Sequence, residues 1–131
     1  MNSNLHIIAN QLSKNFLVGN SSNVVLKNLN FQLKQGEFVS IIGASGSGKT
    51  TLLKLLSGLI EPSAGYISIN NTSPNSYKRN KKLGFVSQNP ALLPWSNVEE
   101  NINLALKINR HTNQFNDDDK VKDMLKFIKL E

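Results

Sequence analysis

The sequence predicts an α/β fold, and three adjacent patterns support that prediction. Residues 38–42 are nearly all apolar, which is typical of a strand covered on both faces. A glycine-rich stretch follows at once. After it, apolar residues recur at helical spacing until Pro62 ends the pattern. These apolar residues are Leu52, Leu53, Leu55, Leu56, Leu59 and Ile60. A buried strand, a tight loop and an amphipathic helix of about three turns are therefore expected in that order.

Length and composition are those of one soluble globular domain. The chain has 131 residues, of which 39% are hydrophobic and 18% charged. It contains no cysteine, which excludes disulfides and thiolate metal sites and is consistent with a reducing cytosol. No apolar run approaches the roughly 20 residues that span a bilayer, and the first residues lack the features of a secretory signal. Any membrane role is expected to be peripheral.

The net charge of +6 raises the question of a polyanionic partner. Much of the excess comes from one short basic cluster, made of Lys78, Arg79, Lys81 and Lys82. A solvated loop is the preferred interpretation of this cluster over a polyanion contact, and no nucleic acid partner is expected. His6 and His111 have no cysteine, histidine or carboxylate at ligand spacing, so they predict no metal site.

Strand patterns lie on both sides of the glycine-rich stretch. Residues 5–12 are rich in apolar side chains, and Leu29, Phe31 and Leu33 alternate with polar neighbours as in a half-buried strand. Residues 19–23 between them indicate a turn. Two more short strands are predicted at 65–69 and 83–87, separated by the polar stretch 70–82.

The last third of the chain predicts helices. Ser96 and Glu99 have the spacing of a capping box, so a helix is expected over about 97–107. The acidic stretch 116–119 favours the start of a second helix. Its apolar stripe is Val121, Met124, Leu125 and Ile128.

Residues 43–50 match the pattern G, four residues, G-K-[ST]. Glycines let the backbone curl so that successive N–H groups point inward at the positive end of the following helix. Lys49 can then reach the β- and γ-phosphates, and the Thr50 hydroxyl can ligate Mg²⁺. The predicted phosphate-binding set is Gly43, Ala44, Ser45, Gly46, Ser47, Gly48, Lys49, Thr50 and Thr51. A chance match is disfavoured because a buried-type strand precedes the loop and an amphipathic helix follows it.

The phosphate loop is shared by kinases, GTPases, helicases and transporter motors, so other residues must choose among them. Residues 26–69, LKNLNFQLKQGEFVSIIGASGSGKTTLLKLLSGLIEPSAGYISI, closely resemble the ATPase subunits of ABC transporters. The resemblance implies a P-loop NTPase fold with a RecA-like core and N-terminal antiparallel β strands, incomplete here, plus the start of a helical subdomain. It makes residues 1–131 the N-terminal part of a nucleotide-binding domain, with the core in 1–90 and the helical subdomain beginning in 91–131.

The same resemblance implies two site residues outside the loop. Phe16 is similar to the family's aromatic residue that stacks on adenine, although a core phenylalanine at a strand end would look the same. Gln88 is similar to the glutamine that ends the strand before the helical subdomain and contacts Mg²⁺ or the attacking water. Its alternative is an exposed, inert glutamine. With Lys49, Gln88 is expected to be catalytic.

Residues 92–95 and 97–102 are similar to importers of the nitrate, sulfonate and taurine group, where this region lies near the permease. A tryptophan packed into a small helical subdomain is an equal alternative for Trp95. The resemblance implies ATP and Mg²⁺ as ligands, a permease and a second ATPase subunit as partners, a homodimer, and a solute-binding protein acting indirectly. It implies a cytoplasmic location, peripheral on the inner face of the membrane. The cargo is not implied, because the permease and binding protein select it.

The chain departs from the family pattern by lacking the second acidic strand, the LSGGQ-type signature and the switch histidine. We expect a fragment of an ATPase, in which the strand at 38–42 would have unpaired backbone groups. Hydrolysis by the chain alone is in doubt, since no residue is a candidate for the water-activating base. A nucleotide-binding regulatory module without hydrolysis is one alternative. A small-molecule P-loop kinase is another, but only Arg79 and Arg110 are available to clamp phosphates.

Overall fold

The computed structural model describes residues 5–89, 91–108 and 118–129. The chain forms two compact units, Met1–Phe85 and Val86–Glu131. The elements of the first are β1 (Leu5–Val18), β2 (Ser21–Lys34), α1 (Lys49–Leu56), β3 (Ala64–Ile69) and α2 (Pro74–Arg79). Those of the second are α3 (Val98–Ile108) and α4 (Asp118–Phe127).

The first unit is built on an antiparallel sheet with strand order β2-β1-β3. β1 and β2 form a long hairpin, so both predicted strands are confirmed, with β1 longer than expected. The turn is at residues 19–20 and is shorter than the predicted 19–23, because β2 begins at Ser21. Leu29, Phe31 and Leu33 are half-buried and their polar neighbours are exposed, as the alternation predicts. One face of the sheet is therefore available to pack a helix.

The side chains of Asn30 and Ser13 hold the irregular part of this hairpin. Gln11 and Asn28 take left-handed backbone conformations, at φ 48° and 49°, where the register of β1 and β2 shifts. The backbone N–H of Gln11 donates to Asn30 Oδ1 at 2.8 Å, and that of Asn28 donates to Ser13 Oγ at 3.0 Å. Asparagine tolerates this conformation because its short amide can satisfy nearby backbone groups.

Gly65 lies at the bulge between β1 and β3. Its φ is +73°, and a Cβ placed on it would lie 2.3 Å from the carbonyl oxygen of Gln11. Only glycine allows both the left-handed conformation and this close approach of two backbones. Gly65 therefore sets how the third strand joins the sheet.

The core lies where α1 packs on the sheet. It contains Ala9 and Leu12 from β1, Leu52 and Leu55 from α1, and Ile67 and Ile69 from β3. Leu12 and Leu55 are the fully buried side chains among them, and burying each contributes about 1.5–3 kcal/mol. The predicted apolar stripe is thus confirmed at Leu52, Leu55, Leu56 and Ile60, whereas Leu53 and Leu59 are exposed. The helix ends at Leu56, with Ser57 as its C-cap, rather than near Ile60.

Two strand predictions are wrong. Residues 38–42 and 83–87 form no strand, and Phe38 and Ile42 are 95% and 94% exposed, while Val86 is 97% exposed. A strand buried on both faces needs neighbours that pair with its edges and side chains that cover it. None of the described residues does this for either stretch. The apolar composition predicted that both stretches would be buried. The described sheet does not include or cover either of them.

Within the polar stretch 70–82, where no element was predicted, lies helix α2. Ser73 is its N-cap, with Oγ accepting from the backbone N–H of Ser76 at 3.2 Å, and Pro74 is in the first turn. Both are recognised start signals in the sequence. Lys78 Nζ donates to the carbonyl of Gly58 at 2.7 Å, so one member of the basic cluster has a structural partner.

In the second unit the capping box is one residue later than predicted. Asn97 Oδ1 accepts from the N–H of Glu100 at 2.8 Å, and Glu100 Oε2 accepts from the N–H of Asn97 at 3.0 Å. Asparagine caps helices as well as serine does, so the pair Asn97 and Glu100 replaces Ser96 and Glu99, and α3 begins at Val98.

The second predicted helix is α4. Val121 is buried, in agreement with the predicted stripe, whereas Ile128 is exposed beyond the end of the helix. The predicted start at residues 116–117, the side chain of Met124 and the whole of His111 lie outside the described residues. None of the described helices is long and apolar enough to cross a membrane.

Candidate nucleotide-binding site

The glycine-rich stretch 43–48 turns into the N-terminus of α1. Gly48 is the N-cap, at φ 92°, and offers no side-chain oxygen to the first N–H groups of the helix. The first intrahelical bond runs from the N–H of Leu52 to the carbonyl of Gly48, at 2.8 Å. The first turn of this fully described helix carries no acidic side chain. Its free N–H groups and its positive dipole end therefore favour an anion.

Gly48 also fixes the start of α1 against the sheet. A Cβ at this position would lie 2.9 Å from Leu26 Cδ2, 3.1 Å from Val25 Cγ1 and 3.2 Å from the carbonyl oxygen of Val25. The backbone of the loop therefore lies directly on β2. Any larger residue would push the helix start away from the strand that supports it.

The Lys49 side chain folds back into the loop. Its Nζ donates to the carbonyls of Gly43 at 2.8 Å and Ala44 at 2.7 Å, and lies 3.5 Å from Ser47 Oγ. The ammonium thereby joins the beginning of the loop to its end. It places a positive charge in the concave side of the turn, which is where the sequence pattern predicts phosphate binding.

The predicted loop residues are brought together, and most face solvent. Residues 43–47 and Thr50 are exposed, while Gly48, Lys49 and Thr51 are half-buried. Gly43 lies close to the Ser47 side chain at the other end of the turn. A Cβ placed on Gly43 would be 2.8 Å from Ser47 Oγ. The loop is therefore open to a ligand of the size of a polyphosphate.

Phe16 lies near the end of β1, opposite Asn23 of β2, and its side chain is 38% exposed. Asn23 is two residues from Val25, which contacts Gly48. With a strand rise of about 3.3 Å and a strand spacing of about 4.8 Å, the backbone of Phe16 lies roughly 8 Å from that contact. The ring is thus exposed on the same hairpin that supports the phosphate loop, rather than in the core.

Gln88 is exposed in a bend of the second unit, next to a bond that Ser87 Oγ donates to the carbonyl of Asn89. The structure therefore does not bring it together with the loop in one unit, and its role stays a prediction. Two arginines were the candidates to clamp phosphates in the kinase alternative. Arg79 ends α2, and Arg110 lies outside the described residues.

Trp95 is 79% exposed rather than packed into the second unit. The loop that carries it is held by Asn101, whose Oδ1 accepts from the N–H of Leu93 at 2.7 Å and whose Nδ2 donates to the carbonyl of Ser96 at 3.0 Å. An apolar cavity of about 340 Å³ lies beside this loop. Sequence reasoning missed Asn101, because an asparagine inside a helix gives no periodic signal.

Residues 26–131 match the family described as ABC transporter. The chain belongs to the ABC transporter family. Proteins of this family bind ATP, usually with Mg²⁺, and in general hydrolyse it. The resemblance stated from residues 26–69 is thereby confirmed.

Named relatives are ATP-binding proteins of transporters. The chain is 40% identical over 122 residues to the aliphatic sulfonates import ATP-binding protein SsuB of Bacillus cereus, covering 93% of this chain and 46% of that protein. It is 41% identical over 112 residues to the lipoprotein-releasing system ATP-binding protein LolD of Acinetobacter baylyi, covering 80% and 49%. The chain therefore spans less than half the length of these relatives.

A solved structure shows the same fold. The ATP-binding cassette MJ0796, a dimer in a post-hydrolysis state bound to ADP and Pi, superposes with a TM-score of 0.81 at 30% identity. The match covers 95% of this chain and 58% of that one. The predicted P-loop NTPase fold is confirmed as a partial domain.

Proposed function

We propose that this chain forms the phosphate-binding part of an ATP-binding subunit that couples ATP binding and hydrolysis to solute transport through a partner permease. The observation that carries the proposal is the position of the Lys49 ammonium, inside the turn of residues 43–48 and at the positive end of α1. A cation and a row of free N–H groups that face one concave turn suit the phosphates of a nucleotide.

Lys49 exchanges its partners when the nucleotide binds. The carbonyls of Gly43 and Ala44 are neutral acceptors, whereas phosphate oxygens are charged. The ammonium is already an ionised donor in its bonds to the carbonyls, but a phosphate oxygen adds the Coulomb attraction between two full charges. The ammonium therefore leaves the carbonyls for the β- and γ-phosphates, where it offsets the charge that develops during transfer.

Thr50 and Gln88 are the proposed protein ligands of Mg²⁺. Among the described residues no group of three or more His, Cys, Asp or Glu could hold a metal ion by itself. The exposed Thr50 hydroxyl at the helix start fits an ion that prefers oxygen ligands and takes others from the phosphates. When bound, the ion would neutralise phosphate charge. The Gln88 amide oxygen would add a ligand or orient the attacking water.

Phe16 is the proposed platform for the base. Its ring is exposed on the hairpin that carries the phosphate loop, and aromatic rings stack on bases whatever their sequence. Phosphates held at Gly43, Ala44, Ser45, Gly46, Ser47, Gly48, Lys49, Thr50 and Thr51 would leave the adenosine pointing away from α1.

The proposed partners are a permease, a second ATPase subunit in a homodimer, and indirectly a solute-binding protein, with the chain peripheral on the cytoplasmic face of the membrane. The named relatives work in transport systems, and the cassette of known structure is dimeric. Residues 1–90 would be the core and 91–131 the start of the helical subdomain. The relatives' names give different cargoes, aliphatic sulfonates and lipoproteins, so the cargo class is not proposed.

A nucleotide-binding module without hydrolysis is the second candidate. It is motivated by the sequence, in which no second acidic strand and no candidate for the water-activating base is found among the 131 residues. Measuring both MgATP binding and phosphate release by the full protein distinguishes the two functions. Binding of MgATP with release of phosphate supports the motor, and binding without release supports the module.

The test of the phosphate site is Lys49→Ala with Lys54→Ala as its control. Lys54 is an exposed lysine in the last turn of the same helix, so its removal changes net charge equally without touching the loop. We expect Lys49→Ala to weaken MgATP binding by about tenfold or more, the value of a lost bond to a charged group, and to abolish turnover. Calorimetry measures the first effect and phosphate release the second. Wild-type affinity in Lys49→Ala would overturn the proposal.

A further inference from the structure

Lys14 joins the ring of Phe16 to the segment that follows α1. Its Nζ lies 5.1 Å from the centroid of the Phe16 ring, within the range of a cation–π interaction. The same Nζ donates a hydrogen bond of 2.7 Å to the carbonyl oxygen of Glu61. The cation on the ring is therefore held by backbone, and it covers one face of an otherwise exposed aromatic side chain.

The strand register places this pair on the hairpin that supports the phosphate loop. Lys14 lies opposite Leu26 of β2, and Leu26 is one of the residues against which Gly48 packs. Opposed residues of an antiparallel pair project on the same face of the sheet. Lys14 and Phe16 thus lie on the hairpin whose β2 residues support the start of α1, although Lys14 belongs to no phosphate-binding motif.

We propose that Lys14 is a positioning residue for the nucleotide base. It holds the Phe16 ring from one face, so that the opposite face receives the base in a fixed orientation. Fixing a side chain before the ligand arrives reduces the ordering cost of binding. This inference rests on the proposed nucleotide-binding function, and it extends that function from the phosphates to the nucleoside.

If Lys14 positions the ring, the affinity for ATP depends on Lys14. The affinity for triphosphate without a base does not. Lys14 acts through a ring that a ligand without a base does not touch. A lysine that instead contacted phosphates, or merely supported the fold, would affect both ligands. Comparison of MgATP with magnesium tripolyphosphate therefore separates these roles.

The experiment measures both affinities by calorimetry in the full protein. The variants are Lys14→Met, Lys14→Arg, Phe16→Ala and the double variant of Lys14→Met with Phe16→Ala. Methionine keeps an unbranched apolar side chain and removes the charge, whereas arginine keeps a cation that can lie over a ring. Lys27→Met, at an exposed position of β2, is the control for net charge and folding.

We expect Lys14→Met to weaken MgATP binding by about two- to fivefold and to leave tripolyphosphate binding unchanged. Lys14→Arg restores the affinity, Lys27→Met does not change it, and Lys14→Met has no further effect once Phe16 is alanine. Equal losses for both ligands, no loss for either, or a loss that persists in the Phe16→Ala background would overturn the role of Lys14 while ATP binding stands. A wild-type protein that binds neither ligand would overturn the nucleotide site itself.

Discussion

Two apolar regions of the first unit end up in opposite environments. Leu12 and Leu55 are fully buried between the sheet and α1, whereas Phe38 and Ile42, in the stretch just before the phosphate loop, are almost fully exposed. Both regions contain large apolar side chains. They differ in their neighbours, because β1, α1 and β3 pack on one another and the stretch 38–42 pairs with no described strand.

The comparison shows which side of the phosphate loop is anchored. Its C-terminal end lies on β2 through Gly48 and continues into a helix that is part of the core. Its N-terminal end is joined to the rest by the Lys49 ammonium on the carbonyls of Gly43 and Ala44. Packing therefore holds one end of the loop. The other end is held by hydrogen bonds within the loop, one from the Ser47 N–H to the Ala44 carbonyl at 3.3 Å and a second contact from the Lys49 ammonium. A phosphate that attracts Lys49 would release that second contact.

The largest expected difference between the two regions is in stability. Leu55→Ala removes a fully buried side chain and leaves a cavity, so it should lower the free energy of unfolding by about 2–5 kcal/mol. Ile42→Ala removes a similar volume from an exposed site and should stay within about 0.5 kcal/mol. Urea denaturation followed by circular dichroism measures both. A loss at Ile42 as large as that at Leu55 would show that the stretch 38–42 is buried in solution.

The next largest expected change in unfolding free energy is at a glycine with close neighbours, compared with a glycine that has none within 4 Å. Gly65→Ala imposes a side chain at φ +73° and 2.3 Å from a carbonyl oxygen, so it should cost about 1–3 kcal/mol or more. Gly84→Ala is the matched control, since a Cβ there meets nothing within 4 Å and the stretch around it forms no strand. Its unfolding free energy should equal that of the wild type. Equal losses in the two variants would contradict the bulge as the cause.

The turn of the glycine-rich loop into α1 could be predicted because it depends on neighbouring residues in the sequence. The loop, the lysine and the helix start are consecutive residues, so the turn into α1 and the contact of Lys49 with the loop follow from their spacing. The Lys14 contact with Phe16 and the Asn101 bonds to its loop depend on register and loop closure instead. No motif or periodicity in the sequence predicts these contacts, so they are seen only in the structure.

The sheet could be predicted only in part, for a related reason. The alternation at Leu29, Phe31 and Leu33 reports which face of β2 is covered, and the structure agrees. The apolar runs at 38–42 and 83–87 indicate that burial of these residues is favourable. They do not indicate which strands or helices would bury them. A single sequence shows, through its apolar runs, that a strand there would need neighbouring strands and covering side chains. It does not contain the pairing, which depends on residues far apart in the chain.

The smallest effect concerns two adjacent cap candidates that the sequence does not distinguish. Asn97→Ala breaks the reciprocal bonds with Glu100 and should destabilise the start of α3 by about 1 kcal/mol, whereas Ser96→Ala removes a hydroxyl that caps nothing in the described structure. Hydrogen exchange of the amides in the first turn should quicken about fivefold for Asn97→Ala alone, since exchange follows local opening. Faster exchange for Ser96→Ala instead would restore the cap at Ser96, with α3 starting one residue earlier.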